Sequence, residues 1–217
     1  MKTLQTSLQN KIREPKNKKS AASPALILLH GRGANEDDLL GLSDYLDERL
    51  FIVSARAPFS FQLGGGFTWY DLEEVSRPEP KMFAESYAKL LQLFNDVKTQ
   101  CPVDPAKIFL CGFSMGTVMA YALALTHPGS IKGVIANSGY VPEQTDLTLQ
   151  WENIKGKPFF VAHGKYDPVI PLVFAQRAQD LLMKADAHVS YHEYDMAHQI
   201  TEESLNDIMG WITKQLG

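Results

Sequence analysis

Short uninterrupted apolar runs alternate along this chain with longer stretches in which apolar residues return every third or fourth position. Residues 25–29, 50–54, 108–110, 131–136 and 158–162 have the look of strands buried on both faces, and 188–194 reads as one more strand. Between them, five sets fall on single helix faces: Leu39, Leu42, Leu46; Phe83, Tyr87, Leu90, Leu91, Phe94, Val97; Val118, Tyr121, Ala122, Leu125; Phe174, Ala178, Leu181, Leu182; and Leu205, Ile208, Met209, Ile212, Leu216. Asn35 and Thr201 stand where N-caps belong, and Glu36, Asp37 and Asp38 would complement the dipole of the first helix. Residues 6–12 alternate loosely and predict an edge strand. Residues 14–23, polar and punctuated by Pro15, predict a solvated hairpin tip.

Strand–helix alternation predicts an α/β fold with a mostly parallel central sheet and helices on both faces. The 217 residues suit a single domain over 1–217, in which 1–24 supplies an N-terminal edge strand and polar loop. In such sheets, sites lie beyond the strands' C-terminal ends. Polar motifs close the predicted strands at His30, Ser114, Asp167 and His198. Residues 57–80 break the alternation. They carry Pro58, Gly64 to Gly66, Pro78 and Pro80, with Phe59, Phe61, Phe67, Trp69 and Tyr70 among them. That density of aromatics favours a loop that walls a pocket over one that only anchors itself to the core.

Charge and composition narrow the partners. A net charge of −4 does not favour nucleic acid or an anionic membrane. No apolar run approaches the roughly 18 residues of a membrane span. Residues 1–23 are basic but lack an apolar core, so no secretory signal is expected and a cytoplasmic location follows by default. Cys101 and Cys111 fit reduced thiols better than a disulfide framework.

The chemistry centres on Gly112-Phe113-Ser114-Met115-Gly116, placed between a predicted strand and a predicted helix. In that context G-x-S-x-G is a nucleophile elbow, a sharp turn that lifts the serine hydroxyl clear of the sheet. Side chains at Gly112 and Gly116 would collide with the neighbouring helix or strand. A serine hydroxyl needs a base, and the base an orienting carboxylate. Of six histidines, His198 alone follows a strand and precedes a capped helix. His30 and His127 fit the order Ser–Asp–His badly, His188 and His192 lie within a strand, and His163 reads as a backbone-holding residue. Asp167, after a buried strand, is the best-placed acid; its plainer role is an Asx turn. Backbone N–H groups of Met115 and Arg32 are the candidate oxyanion donors.

Leu28-Leu29-His30-Gly31-Arg32-Gly33-Ala34, the elbow, His163-Gly164-Lys165-Tyr166-Asp167-Pro168-Val169-Ile170-Pro171 and Met196-Ala197-His198 together resemble the phospholipase/carboxylesterase family of α/β-hydrolases, which includes acyl-protein thioesterases and small bacterial carboxylesterases. The resemblance implies the α/β-hydrolase fold and hydrolysis of carboxylic or thio esters without cofactor or metal. It also implies a possible homodimer and the same triad and oxyanion donors. No large cap domain is apparent. Arg32 and Met115 replace the Leu and Gln typical of the eukaryotic thioesterases, and the Gly-rich loop looks more like the bacterial esterase branch, which favours small esters over protein depalmitoylation. A thioesterase or lysophospholipase with the same triad is the nearest rival, and a non-catalytic binding protein on the same fold is another. Phe67, Trp69, Tyr70, Met115, Val169 and Ile170 are the expected pocket residues. The Arg32 side chain is either solvated or paired with Asp71 or Glu73, or it recognises a substrate carboxylate or phosphate.

Overall fold

The computed structural model describes residues 2–18, 20–62 and 64–217, apart from the Glu73 side chain. Met1 and Lys19 of the N-terminal segment and Leu63 of the long loop lie outside the described residues. In chain order the strands are β1 (Asn10–Arg13), β2 (Ser23–Leu29), β3 (Phe51–Ala55), β4 (Phe59–Ser60), β5 (Phe67–Thr68), β6 (Leu72–Glu74), β7 (Arg77–Pro78), β8 (Val103–Phe113), β9 (Gly133–Asn137), β10 (Pro158–Gly164) and β11 (His188–Tyr194). The α-helices are α1 (Pro80–Gln100), α2 (Met115–Thr126), α3 (Val173–Lys184) and α4 (Glu202–Leu216). Seven strands form one sheet in the order β1-β3-β2-β8-β9-β10-β11, all parallel except β1, which runs antiparallel to β3.

The alternation of side chains across the pleat sorts the core into two layers. Ala25, Ile27 and Leu29 of β2, with Ile108 and Leu110 of β8, face α1, α2 and α3. Leu26, Leu28, Phe109 and Cys111 face the opposite layer, built on Ile208, Ile212 and Leu216 of α4 and on Leu39, Leu40 and Leu46. Helix α2 follows a different rule from the single apolar face the sequence suggested. Every residue from Met115 to Leu125 is buried, because the helix is apolar all round and lies within the layer. No helix among the described residues is long and apolar enough to cross a membrane.

Three expectations need correction. The stretch before β2 is not a hairpin tip, because β3 lies between β1 and β2, and the edge strand is Asn10–Arg13 rather than 6–12. The predicted helix after Asn35 is a chain of turns with one 3-10 turn, Leu39–Leu42. Asn35 does accept the Asp37 N–H (2.7 Å), yet Asp, Gly41 and Ser43 are poor helix formers, and the leucines reach the core from turns as well as from a helix. Finally, residues 57–80 are no open loop but two small antiparallel hairpins, β4–β5 and β6–β7.

Candidate active site

Ser114 joins β8 to α2 with φ 55° and ψ −121°, a backbone conformation an L-residue adopts only under constraint. The constraint comes from both sides. Its N–H donates to the Asn137 carbonyl at the end of β9 (2.9 Å), and its carbonyl accepts the Thr117 N–H (2.9 Å). Asn137 in turn donates from Nδ2 to the Gly112 carbonyl (3.0 Å), and its carbonyl accepts the Thr117 hydroxyl (2.7 Å). The reason for the two glycines is the one the sequence suggested. A Cβ on Gly112 would run into Thr117 of the helix, and one on Gly116 into the Leu29 carbonyl of the adjoining strand. Close approach places α2 with its N-terminus at the end of β2. Met115 is its first residue, where helix geometry leaves the N–H without an intrahelical acceptor.

Asp167 and His198 meet at the ends of β10 and β11. Asp167 Oδ2 lies 2.7 Å from His198 Nδ1, and the carboxylate side chain has no exposure. Oδ1 accepts the Val169 and Ile170 N–H groups at 2.8 and 2.9 Å. One oxygen thus makes the Asx turn and the other lies against the histidine ring. The loops that carry them fit together at Gly164, whose missing side chain makes room for the Met196 and Ala197 carbonyls. His198 stands just before the capping box of Thr201 and Ser204 that opens α4. Its ring lies 4.9 Å from that of Phe113, the residue before the serine. Among the described residues no hydrogen bond joins the Ser114 hydroxyl to His198; in many such sites that contact tightens only around substrate.

His163 is a backbone holder, as its position suggested. Buried at the end of β10, it donates from Nε2 to the Ile170 carbonyl (2.8 Å), 3.4 Å from Asp167 Oδ2. Burial holds its pKa below the usual value, so it is neutral beside the carboxylate.

The loop after β2 passes directly over the elbow: a Cβ on Gly31 would lie 3.4 Å from Ser114 Cβ. The Gly33 N–H donates to Phe67 O and the Phe67 N–H to Ala34 O, both at 2.8 Å, so the β4–β5 hairpin is stitched to this loop. Nothing in the local pattern points to the part played by His30. Its Nδ1 donates to the Gly31 carbonyl (2.6 Å), its Nε2 accepts the Ala57 N–H (3.0 Å), and its own carbonyl accepts the Trp69 indole N–H (2.9 Å). Burial pushes its pKa down to about 4, which keeps the ring in the one tautomer that can do both. Only the placement of Ala57, far along the chain, reveals this clamp.

The expected pocket residues are therefore not equivalent. Trp69 is fully buried and spent on holding His30. Phe67 is half-buried under the Arg56 guanidinium, 4.4 Å from its ring centroid. Tyr70, Met115 and Ile170 are buried, whereas Val169 is 53% exposed. The Arg32 guanidinium lies over the Phe61 ring at 4.8 Å and reaches Asp71 at 3.4 Å, both side chains being well solvated.

Residues 10–216 match the phospholipase/carboxylesterase family. Among curated relatives, acyl-protein thioesterase 1 of Candida albicans is 27% identical over 223 residues, covering 93% of this chain and 95% of its own. Putative hydrolase MhqD of Bacillus subtilis is 27% identical over 202 residues, covering 89% and 94%. Among solved structures, the Bacillus cereus carboxylesterase superposes with a TM-score of 0.82 at 23% identity over 96% of this chain and 94% of that one. Zea mays acyl-protein thioesterase 2 gives 0.76 at 20% identity over 96% and 99%. With its parallel sheet, its helices on both faces and a family match that spans almost its whole length, the chain belongs to the phospholipase/carboxylesterase family of α/β-hydrolases and is a hydrolase of the carboxylesterase and acyl-protein thioesterase type.

Proposed function

We propose that the chain is a serine carboxylesterase acting on short to medium acyl esters through Ser114, His198 and Asp167. The observation that carries this is the 2.7 Å contact of the buried Asp167 carboxylate with His198 Nδ1, beside a serine held at positive φ. An acceptor at Nδ1 places the ring's proton there and leaves Nε2 free as a base. Nε2 takes the Ser114 proton as Oγ attacks the ester carbonyl. The Arg32 and Met115 N–H groups receive the oxyanion, and the α2 N-terminus adds its dipole. The imidazolium then gives its proton to the leaving alcohol. Water, deprotonated by the same ring, releases the acid and restores the serine.

The preference for shorter chains rests on the burial of Tyr70, Met115 and Ile170, three of the expected pocket residues. Thioester hydrolysis by the same groups is the second reading, favoured by the acyl-protein thioesterases among the relatives. Labelling with a fluorophosphonate tests the nucleophile: Ser114 is modified, Ser114→Ala abolishes the label and His198→Ala weakens it. No label on the wild-type protein would leave a non-catalytic binding protein in its place. A profile of p-nitrophenyl esters that rises steadily with acyl length would favour the thioesterase or lysophospholipase reading.

A further inference from the structure

Two buried tyrosines lie in loops that pack against the elbow. Tyr70 lies between β5 and β6, and Tyr140 follows β9; they are 0% and 3% exposed. Their hydroxyls are hydrogen-bonded to one another at 3.2 Å, which satisfies both oxygens away from water and locks two separate loops together. Each tyrosine is also tied to the elbow. Thr68 Oγ1 donates to the Tyr70 carbonyl (2.7 Å) and lies 3.4 Å from Met115 Sδ. Gly139, just before Tyr140, packs so closely that a Cβ there would lie 3.0 Å from the Ser114 carbonyl.

On its other side the Tyr70 ring meets Phe83 edge-on, with centroids 5.3 Å apart. Phe83 is in turn part of the wall of a groove of about 290 Å³ between the start of α1 and residues 143–147, apolar along the helix at Pro80, Ala84 and Tyr87 and mostly polar opposite, at Glu143 to Asp146. Its volume is close to the lower end for ligand sites, about 300 Å³. The pair thus links two loops that touch the elbow to a groove that opens beyond Phe83.

We infer that the Tyr70–Tyr140 pair is the stop that sets acyl-chain length, and that the groove beneath α1 is the compartment a longer chain enters once the stop is removed. This rests on the reading of Ser114 as the nucleophile. A chain that meets two hydrogen-bonded rings cannot advance without separating them. With either ring cut back, its terminal methylenes pass into the groove and leave water.

The readout is the ratio of kcat/KM for p-nitrophenyl decanoate to that for the butyrate. Tyr70→Ala raises the ratio by about tenfold or more, the scale of a pocket that gains room for added methylenes. Tyr140→Leu does so independently, so a poorly folded Tyr70→Ala leaves the test intact. Ala84→Trp, which fills the groove from an exposed position, keeps the wild-type ratio on its own and reverses the gain in Tyr70→Ala/Ala84→Trp. Ratios that stay within about twofold of wild type in the tyrosine variants overturn the stop, and a gain that Ala84→Trp does not reverse overturns the groove as the compartment. Fluorophosphonate labelling separates the two levels: an unlabelled wild-type protein sinks the hydrolase reading itself, whereas a labelled protein with unmoved ratios sinks only the stop.

Discussion

His30 Nε2 accepts the Ala57 N–H at 3.0 Å, so the imidazole spans two backbone segments as a neutral ring. Because burial lowers its pKa to about 4, the native state resists a proton that the unfolded chain takes up at about 6.5. The stabilising difference is complete above pH 6.5 and is lost as pH falls toward 4, amounting to about 3 kcal/mol over that window. Urea denaturation at pH 7.5 and 4.5 measures it. His30→Asn is expected to lose less stability across the window than the wild-type protein; equal losses would contradict the assignment. His163, likewise buried and held below its usual pKa, contributes alike to both proteins.

Asp167→Asn isolates the acid. Two backbone N–H groups fix Oδ1, so an amide placed there keeps its oxygen on them and turns its NH2 toward His198. The ring is then forced to accept at Nδ1 and to carry its proton on Nε2, where it cannot act as base. We expect kcat/KM for p-nitrophenyl acetate to fall by about 10⁴-fold with the melting temperature little changed. Activity within tenfold of wild type would remove Asp167 from the mechanism.

Arg32 tests substrate charge. Its contact with Asp71 is long and solvated, so it contributes little to stability and a substrate anion can displace it. Arg32→Ala is expected to raise KM about tenfold for esters that carry a carboxylate or phosphate while neutral esters are unaffected. Equal effects on both classes would assign the side chain to packing on Phe61.

Arg56→Leu strikes the support beneath the loop over the elbow. Glu36 is 1% exposed, and its Oε1 accepts Arg56 Nη2 at 2.6 Å. The arginine side chain also covers Phe67 and donates to Gln9 Oε1 (2.8 Å). Removing it strands a buried carboxylate, at a cost of about 3–5 kcal/mol in chemical denaturation. Glu36→Gln/Arg56→Leu is expected to recover part of that loss, and no recovery would mean that packing on Phe67 dominates.

What could be read from the residues alone follows from the range of the forces involved. The sheet strands were visible because a strand covered on both faces needs an unbroken apolar run, and Gly112 and Gly116 because a tight turn admits no side chain. Leu39, Leu42 and Leu46 misled because burial fixes their spacing but not the backbone between them. Helix α2 has no polar face from which its orientation could be read. The clamp at His30 and the Tyr70–Tyr140 contact join residues far apart in the chain, and local pattern holds no trace of them.

The meeting of Gly164 with the Met196 and Ala197 carbonyls has a consequence in time. A chain made from its N-terminus completes the elbow once β9 has followed β2, β8 and α2, since Asn137 holds the Ser114 N–H. Its base, on the proposed mechanism, arrives only when β11 has paired with β10 and the turn carrying His198 has settled against that glycine. Until then the growing polypeptide holds a shaped nucleophile with nothing to take its proton. On that mechanism, chemical competence waits until His198 has been made and placed, and a product truncated before it would be folded in part yet inert toward esters.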